Sequence, residues 1–119
     1  MYKNLKGVLT VDTQLKKGTL EFCIIALLFH KDWYGYELTQ ELNKVLAVKD
    51  ATIYLILQRL EKASVVESYV QVLEDSAKVR KYYRLTPVGN EKLELLKNEW
   101  DKLSIVVKQC INEGVIHND

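Results

Sequence analysis

Proline occurs once in these 119 residues, cysteine and histidine twice each, and glycine five times. Each scarcity excludes something. Cys23 and Cys110 lie far apart, each within an apolar helical pattern, so they are not the disulfide framework of a small secreted domain. They are expected as reduced thiols in a cytoplasmic protein. His30 closes an apolar run and His117 sits near the C-terminus. Neither has a Cys, Asp or Glu at metal-ligand or triad spacing, and no glycine-rich phosphate loop occurs. The expectation is a protein without catalytic residues, metal or cofactor, and not an enzyme. No long apolar stretch ending at small residues marks a signal peptide. The most apolar run, 22–29, is too short to span a bilayer and reads as a buried helix, so no membrane association is expected.

Net charge is scarce too. The formal balance is +1, so any nucleic-acid affinity must come from local clustering and not from bulk charge. With 48% apolar and 28% charged residues the chain has globular composition, and its length suits one domain with a modest core.

What is present is concentrated between Asp50 and Thr86. The segment DATIYLILQRLEKA has helical periodicity, with Ile53, Ile56, Leu57 and Leu60 on one face. It runs into a strand at about 66–73, a polar turn EDSAK, and a basic return strand at about 79–86. The stretch 78–84 holds four cations (Lys78, Arg80, Lys81 and Arg84) and no acid, although Glu74 and Asp75 sit at the tip. A helix followed at once by a basic hairpin is how a winged helix-turn-helix holds DNA: the helix enters the major groove and the hairpin sets cations beside phosphates.

The rest of the chain supports that frame. Val8, Leu9 and Val11 suggest a short extended arm or a frayed turn. A helix is expected at about 12–30, apolar nearly all round in its second half, with Gly18 weakening its first turns by about 1 kcal/mol relative to alanine. Residues 31–34 read as a turn. Leu38, Leu42, Val45 and Leu46 then define a second amphipathic helix over 35–46. Asp50 is the expected N-cap of the third helix, with Lys49 as the alternative. Thr86 and Pro87 start the last helix as cap and first residue, and Gly114 follows its end at 111 or 112.

Leu93, Leu96, Trp100, Leu103, Val107 and Cys110 recur at spacings of 3 and 4 along that last helix. This is the pattern by which one helix packs along another. About 25 helical residues extend roughly 37 Å, more than the small body needs, so part of the stripe is expected to meet a second subunit. The alternative is that the stripe covers only its own N-terminal helix. Trp100 reads either as core or as an aromatic platform for a flat ligand at the dimer centre. The fold class is thus mainly α with a small β-hairpin. It is a single domain, 1–119, with a winged helix-turn-helix at about 12–86 and a long C-terminal dimerisation helix at about 87–112.

With the core stripe of the third helix inward, Ala51, Leu55, Gln58 and Lys62 face out, with Thr52 and Arg59 on one flank and Tyr54 on the other. Ala51, Thr52, Leu55 and Gln58 are the side chains that would reach base edges. Gln58 suits adenine, and the apolar groups suit a thymine methyl. The plainer reading of each is an ordinary solvated surface.

Tyr34-Gly35-Tyr36-Glu37-Leu38, then Ala51-Thr52-Ile53-Tyr54 with Leu57, Arg59-Leu60-Glu61-Lys62, and finally Arg80-Lys81-Tyr82-Tyr83-Arg84-Leu85-Thr86 with Gly89 occur in this order. Together they resemble the PadR family of transcriptional regulators over nearly the whole chain, about 15–103. The short C-terminal helix is similar to the compact subfamily that includes multidrug-binding repressors. The resemblance implies a homodimeric repressor that binds a pseudo-palindromic operator in double-stranded DNA and releases it on binding a small, planar aromatic effector. It implies Tyr34 and Tyr36 near the DNA backbone and Ala51, Thr52, Tyr54, Leu55 and Gln58 at the major groove. Lys78, Arg80 and Lys81 would then touch phosphates or the minor groove. Trp100, with Leu96 and Lys97, would form the ligand wall. Leu55 stands where the family commonly has proline, Ser64 where it has glycine after the third helix, and the hairpin tip is acidic. The competing class is a winged-helix protein-interaction module that does not bind DNA.

Overall fold

The computed structural model describes residues 2–3, 9–10, 13–44 and 46–117, with side chains from residue 18 onward. In chain order the elements are β1 (Tyr2–Lys3), β2 (Leu9–Thr10), α1 (Thr13–His30), β3 (Trp33–Tyr34), α2 (Gly35–Leu42), α3 (Asp50–Lys62), β4 (Val66–Val72), β5 (Val79–Leu85) and α4 (Pro87–Glu113). β1 and β2 pair with each other. Of the expected arm, Leu9 lies in β2, while Val8 and Val11 fall outside the described residues.

One core joins all of the larger elements. Leu20, Ile24, Ile25 and Leu28 of α1 meet Leu38 and Leu42 of α2, Ile53, Ile56, Leu57 and Leu60 of α3, Val65 and Val66, Tyr83 of β5 and Leu93 of α4. Each fully buried Leu or Ile contributes about 1.5–3 kcal/mol relative to exposure. This is why the inward stripe of α3, all four residues of it, fixes that helix's rotation.

Three features depart most from the sequence reading, each for a local reason. The second helix stops at Leu42, not 46. Asn43 Nδ2 donates to the Thr39 carbonyl at 2.9 Å, while its Oδ1 accepts from the Val48 N–H at 3.2 Å, which closes the helix end and pulls the next loop back. Leu46 therefore packs against the core from a loop, and Val45 lies outside the described residues. The N-cap of α3 is Lys49, which makes no side-chain capping bond; Asp50 is the first helical residue, where its charge favours the helix N-terminus. The expected turn at 31–34 contains a third strand: Trp33 pairs with Tyr83 and Tyr34 with Tyr82, giving the order β3-β5-β4. Trp33 is held from behind by its indole N–H, which donates to the Leu27 carbonyl at 2.9 Å.

The hairpin runs from Val66↔Leu85 to Val72↔Val79, one residue shorter at each end than expected. At its lower end Thr86 leaves the strand to cap α4. Its hydroxyl oxygen accepts from the Gly89 N–H at 3.0 Å, and Pro87 follows at the first helical turn. Gly89 is a close-approach glycine. A methyl group there would collide with the Val65 carbonyl and come within 2.6 Å of Leu85 Cδ1. α4 ends at Glu113, slightly later than expected, with Gly114 in the left-handed region at φ 69°.

Leu93 is buried and Leu96 half-buried, and Phe22 of α1 meets Trp100 edge-on at 6.0 Å between centroids. Beyond that point the stripe is bare: Trp100, Leu103 and Val107 are 51%, 62% and 52% exposed. Cys110 is exposed as well. The chain's own α1 therefore covers only the first part of the stripe.

Ser64 turns the chain from α3 into β4 at φ 60°, a conformation that costs a non-glycine residue roughly 1–2 kcal/mol. Ser64→Gly should raise the unfolding free energy by about 0.5–1 kcal/mol after the added freedom of the unfolded chain is counted. Urea midpoints of the two proteins check this; an unchanged or lower midpoint would contradict it.

Candidate nucleic-acid interface

α3 presents Ala51, Thr52, Tyr54, Leu55, Gln58, Arg59 and Lys62 on its outer side, all exposed. Leu55, at 65% exposure, has no packing role that would explain an apolar residue there. Tyr54 is less free. Its ring lies on the start of α2, where a methyl group added at Gly35 would sit 3.0 Å from Tyr54 Cε1 and 3.3 Å from both Tyr54 Oη and Tyr83 Cε2. Burial pushes the Tyr54 phenol above its ordinary pKa, with Tyr83, Asp50 and Tyr34 adding to the effect. Gly35 thus sets the distance between the two helices of the helix-turn-helix.

On the outer face of the sheet, tyrosines form a row. Tyr36 and Tyr34 are 6.3 Å apart, Tyr34 and Tyr82 6.0 Å, and Tyr82 stacks on Tyr69 at 5.6 Å. The register explains it, because Tyr34, Tyr82 and Tyr69 are direct partners across the three strands. Arg80 lies 4.8 Å from the Tyr34 ring centre and Arg84 5.1 Å from that of Tyr69. Tyr69 donates to Asp32 at 2.6 Å, and this bond holds its phenol above the ordinary pKa.

The basic strand is less basic in space than in sequence. Arg80 Nη1 is 3.9 Å from Glu37 of α2, and Arg84 Nε donates to Glu67 of β4 at 2.6 Å. Those acids come from another helix and from across the hairpin, so the run 78–84 read alone does not show them; counting the hairpin register would have exposed the Arg84–Glu67 pair. Lys78 and Lys81 make no ion pair among the described residues, and Lys81 stands on the other face, 5.5 Å from the Tyr83 ring centre. Arg59 is also tethered. With Lys92 of α4 it flanks Glu21 of α1, at 3.8 and 3.9 Å.

A separate hollow of about 280 Å³ lies between α1 and α4, lined by Gly18, Thr19, Phe22, Leu96, Glu99, Trp100 and Leu103. It brings together Trp100 and Leu96 of the expected ligand wall. Lys97 does not line it; its ammonium is 3.4 Å from Glu94. Gly18, Thr19, Phe22, Glu99 and Leu103 were missed as lining residues, since only the α1–α4 packing brings them to it.

A helix pair followed by a hairpin wing, with a third short strand before the first of the pair, is a winged helix-turn-helix. Residues 24–95 match the Transcriptional regulator PadR-like family, and the chain belongs to it. The family's members are non-enzymatic DNA-binding regulators, which decides against an enzyme and against a module that never meets DNA. The chain is similar to an uncharacterised protein of Lysinibacillus sphaericus, 39% identical over 101 residues, which cover 82% of this chain and 92% of that one. A PadR-like transcriptional regulator from Bacillus cereus has 34% identity and a TM-score of 0.74, covering 84% of this chain and 98% of that one. A PadR family transcription regulator from Clostridium difficile has 34% identity and a TM-score of 0.72, covering 77% and 97%. Among the described residues no helix is long and apolar enough to cross a membrane, and no group of three or more His, Cys, Asp or Glu is placed to hold a metal ion.

Gly35→Ala should cost about 1–2 kcal/mol, because the Tyr54 and Tyr83 rings must both move. In a Tyr54→Ala background the added cost should shrink. A double-mutant cycle from chemical denaturation measures this, and equal costs in both backgrounds would show that Tyr54 is not the contact.

Proposed function

We propose that this regulator acts as a dimeric repressor that reads a pseudo-palindromic operator with α3 and is released by a small aromatic ligand. The observation that carries the DNA part is the outward face of α3, where Ala51, Thr52, Leu55 and Gln58 are all exposed beside a hairpin bearing Lys78, Arg80 and Lys81. An unpacked leucine on such a face suits a thymine methyl, and Gln58 has the donor–acceptor pair that matches adenine. Tyr34, Tyr36 and Tyr54 edge the same surface and would offer hydroxyls to the phosphate backbone. Arg80 would exchange Glu37 for a phosphate, a trade favoured by the denser charge of the duplex.

The bare second half of α4 supports the dimer. Trp100, Leu103 and Val107 continue the stripe whose earlier members Leu93 and Leu96 are covered, and Leu95 and Val106 widen the apolar face beside them. A contiguous apolar face of this kind on a protruding helix is what a second copy would bury. Trp100, at the edge of the α1–α4 hollow, is then the platform for a flat effector, so that ligand and partner compete for or reshape one surface.

Two outcomes are expected. Specific duplex binding should weaken steeply with salt, with a log–log slope of about −0.9 per neutralised phosphate. Arg80→Ala with Lys81→Ala should lower affinity for all duplexes alike, whereas Gln58→Ala should change base preference at one position per half-site by about 1–3 kcal/mol. Competition binding across single-base operator variants checks this, and an unchanged preference in Gln58→Ala would remove Gln58 from the reading surface. Separately, Leu103→Glu with Val107→Glu should convert a dimer to a monomer in sedimentation equilibrium while leaving the helical circular dichroism signal in place. A monomeric parent chain at micromolar concentration would contradict the assembly.

A further inference from the structure

We propose that Asp32 and Tyr69 are positioning residues for duplex binding, their mutual hydrogen bond fixing Tyr34 and the wing in one arrangement before DNA arrives. This rests on the reading of Tyr34, Tyr36 and Arg80 as contacts to the phosphate backbone, and it adds the residues that hold those contacts in place.

β3 is the thin part of the sheet. Trp33↔Tyr83 and Tyr34↔Tyr82 alone attach it to β5, whereas β4 pairs with β5 along its whole length. Tyr34 is also the N-cap residue of α2, and its side chain makes no capping bond there. The strand that ties the wing to the helix-turn-helix therefore ends where α2 begins. Any freedom of β3 becomes freedom of Tyr34, of Tyr36 one turn on, and of the angle between α2 and the wing. The Trp33 indole, bonded to the Leu27 carbonyl, fixes β3 toward α1 but not toward the wing.

The Asp32–Tyr69 bond supplies that second tie. Asp32 immediately precedes β3, and Tyr69 lies in β4, on the far side of β5. The Tyr69 O–H donates to the Asp32 carboxylate at 2.6 Å, between residues 37 apart in the chain, so it joins the two outer strands directly over the middle one. The Tyr69 ring is set for this. It stacks on Tyr82 at 14° between planes, Tyr82 meets Tyr34 at 6.0 Å, and Arg84, held by Glu67, lies 5.1 Å from the ring centre. Because the bond to Asp32 holds the phenol above its ordinary pKa, the donor stays protonated.

Charge and burial separate this role from two simpler ones. A carboxylate on the side proposed to face phosphate repels the duplex, so Asp32 is not there as a DNA contact. Nor does the hairpin need the bond in order to fold, since Val66 and Tyr83 already anchor it in the core and Asp32 is exposed. What the bond adds is order. Side chains that must be immobilised on binding cost affinity, and a row already fixed from Asp32 through Tyr69 and Tyr82 to Tyr34 avoids that cost.

Fluorescence anisotropy of the purified full chain with a labelled mixed-sequence duplex at fixed low salt tests the inference without knowledge of the operator. Asp32→Asn and Asp32→Ala remove the same charge, and only the first keeps an oxygen that can accept from Tyr69. Asp32→Ala should therefore bind roughly three- to tenfold more weakly than Asp32→Asn. Tyr69→Phe keeps the stacked ring and loses only the hydroxyl; in that background the two Asp32 variants should bind alike. All affinities are measured well below each variant's melting transition, so loss of folded protein does not enter the comparison. Equal affinity of Asp32→Asn and Asp32→Ala, or a difference that persists in Tyr69→Phe, would overturn the positioning role alone. Unchanged duplex affinity in Arg80→Ala with Lys81→Ala would overturn the wing's phosphate contacts and this inference with them.

Discussion

The architecture depends on the packing around Tyr83. Only 6% exposed, it is paired across the sheet with Trp33 on one side and Ser68 on the other, and its ring edge lies against Gly35 at the start of α2. Tyr54 of α3 closes on the same glycine from the other side. The two rings that meet at Gly35 thus join the hairpin, the third strand and both helices of the helix-turn-helix. The angle between α3 and the wing, which any duplex must fit, follows from that contact and from the missing side chain at Gly35.

From this junction the two ends of the molecule take different tasks. On the outer side, the strand register lines up Tyr34, Tyr82 and Tyr69, and Arg80 and Arg84 lie over them, each within reach of a carboxylate. The wing of this chain is accordingly close to electrically balanced, which agrees with a net charge of only +1. Any grip on phosphate must come from exchange of these internal partners and from Lys78 and Lys81, so base contacts by α3 carry more of the proposed recognition than they would beside a strongly basic wing. On the far side, α4 leaves the core after Leu93 and carries bare apolar surface outward, and Glu21 connects α1 to Arg59 of α3 and Lys92 of α4.

Much of this was legible in the chain because the signals were periodic or chemically singular. The four-residue core stripe of α3, the Thr86-Pro87 start of α4 and the Gly114 stop each follow from one local rule. What escaped were features made by tertiary packing. Two residues, Trp33 and Tyr34, are too few to display a strand pattern, and only their pairing with β5 makes them one. The shortened α2 turned on one asparagine bonding both backward and forward, which propensity does not reveal. Likewise the acids beside Arg80 and Arg84 come from other elements, and the lining of the α1–α4 hollow by Gly18 and Glu99 needs the helix crossing to be known. The left-handed Ser64 was visible only as a departure from the family's glycine; its conformation explains why glycine is common there.

The central claim is that α3 and the wing of two symmetry-related copies read one duplex together. Selecting bound fragments from a random-sequence duplex library with the purified protein measures this directly. The account predicts an enriched pseudo-palindrome whose half-sites are one helical turn, about 10 base pairs, or a multiple of it apart. Enrichment of a single asymmetric site, or no sequence enrichment at all, would contradict it.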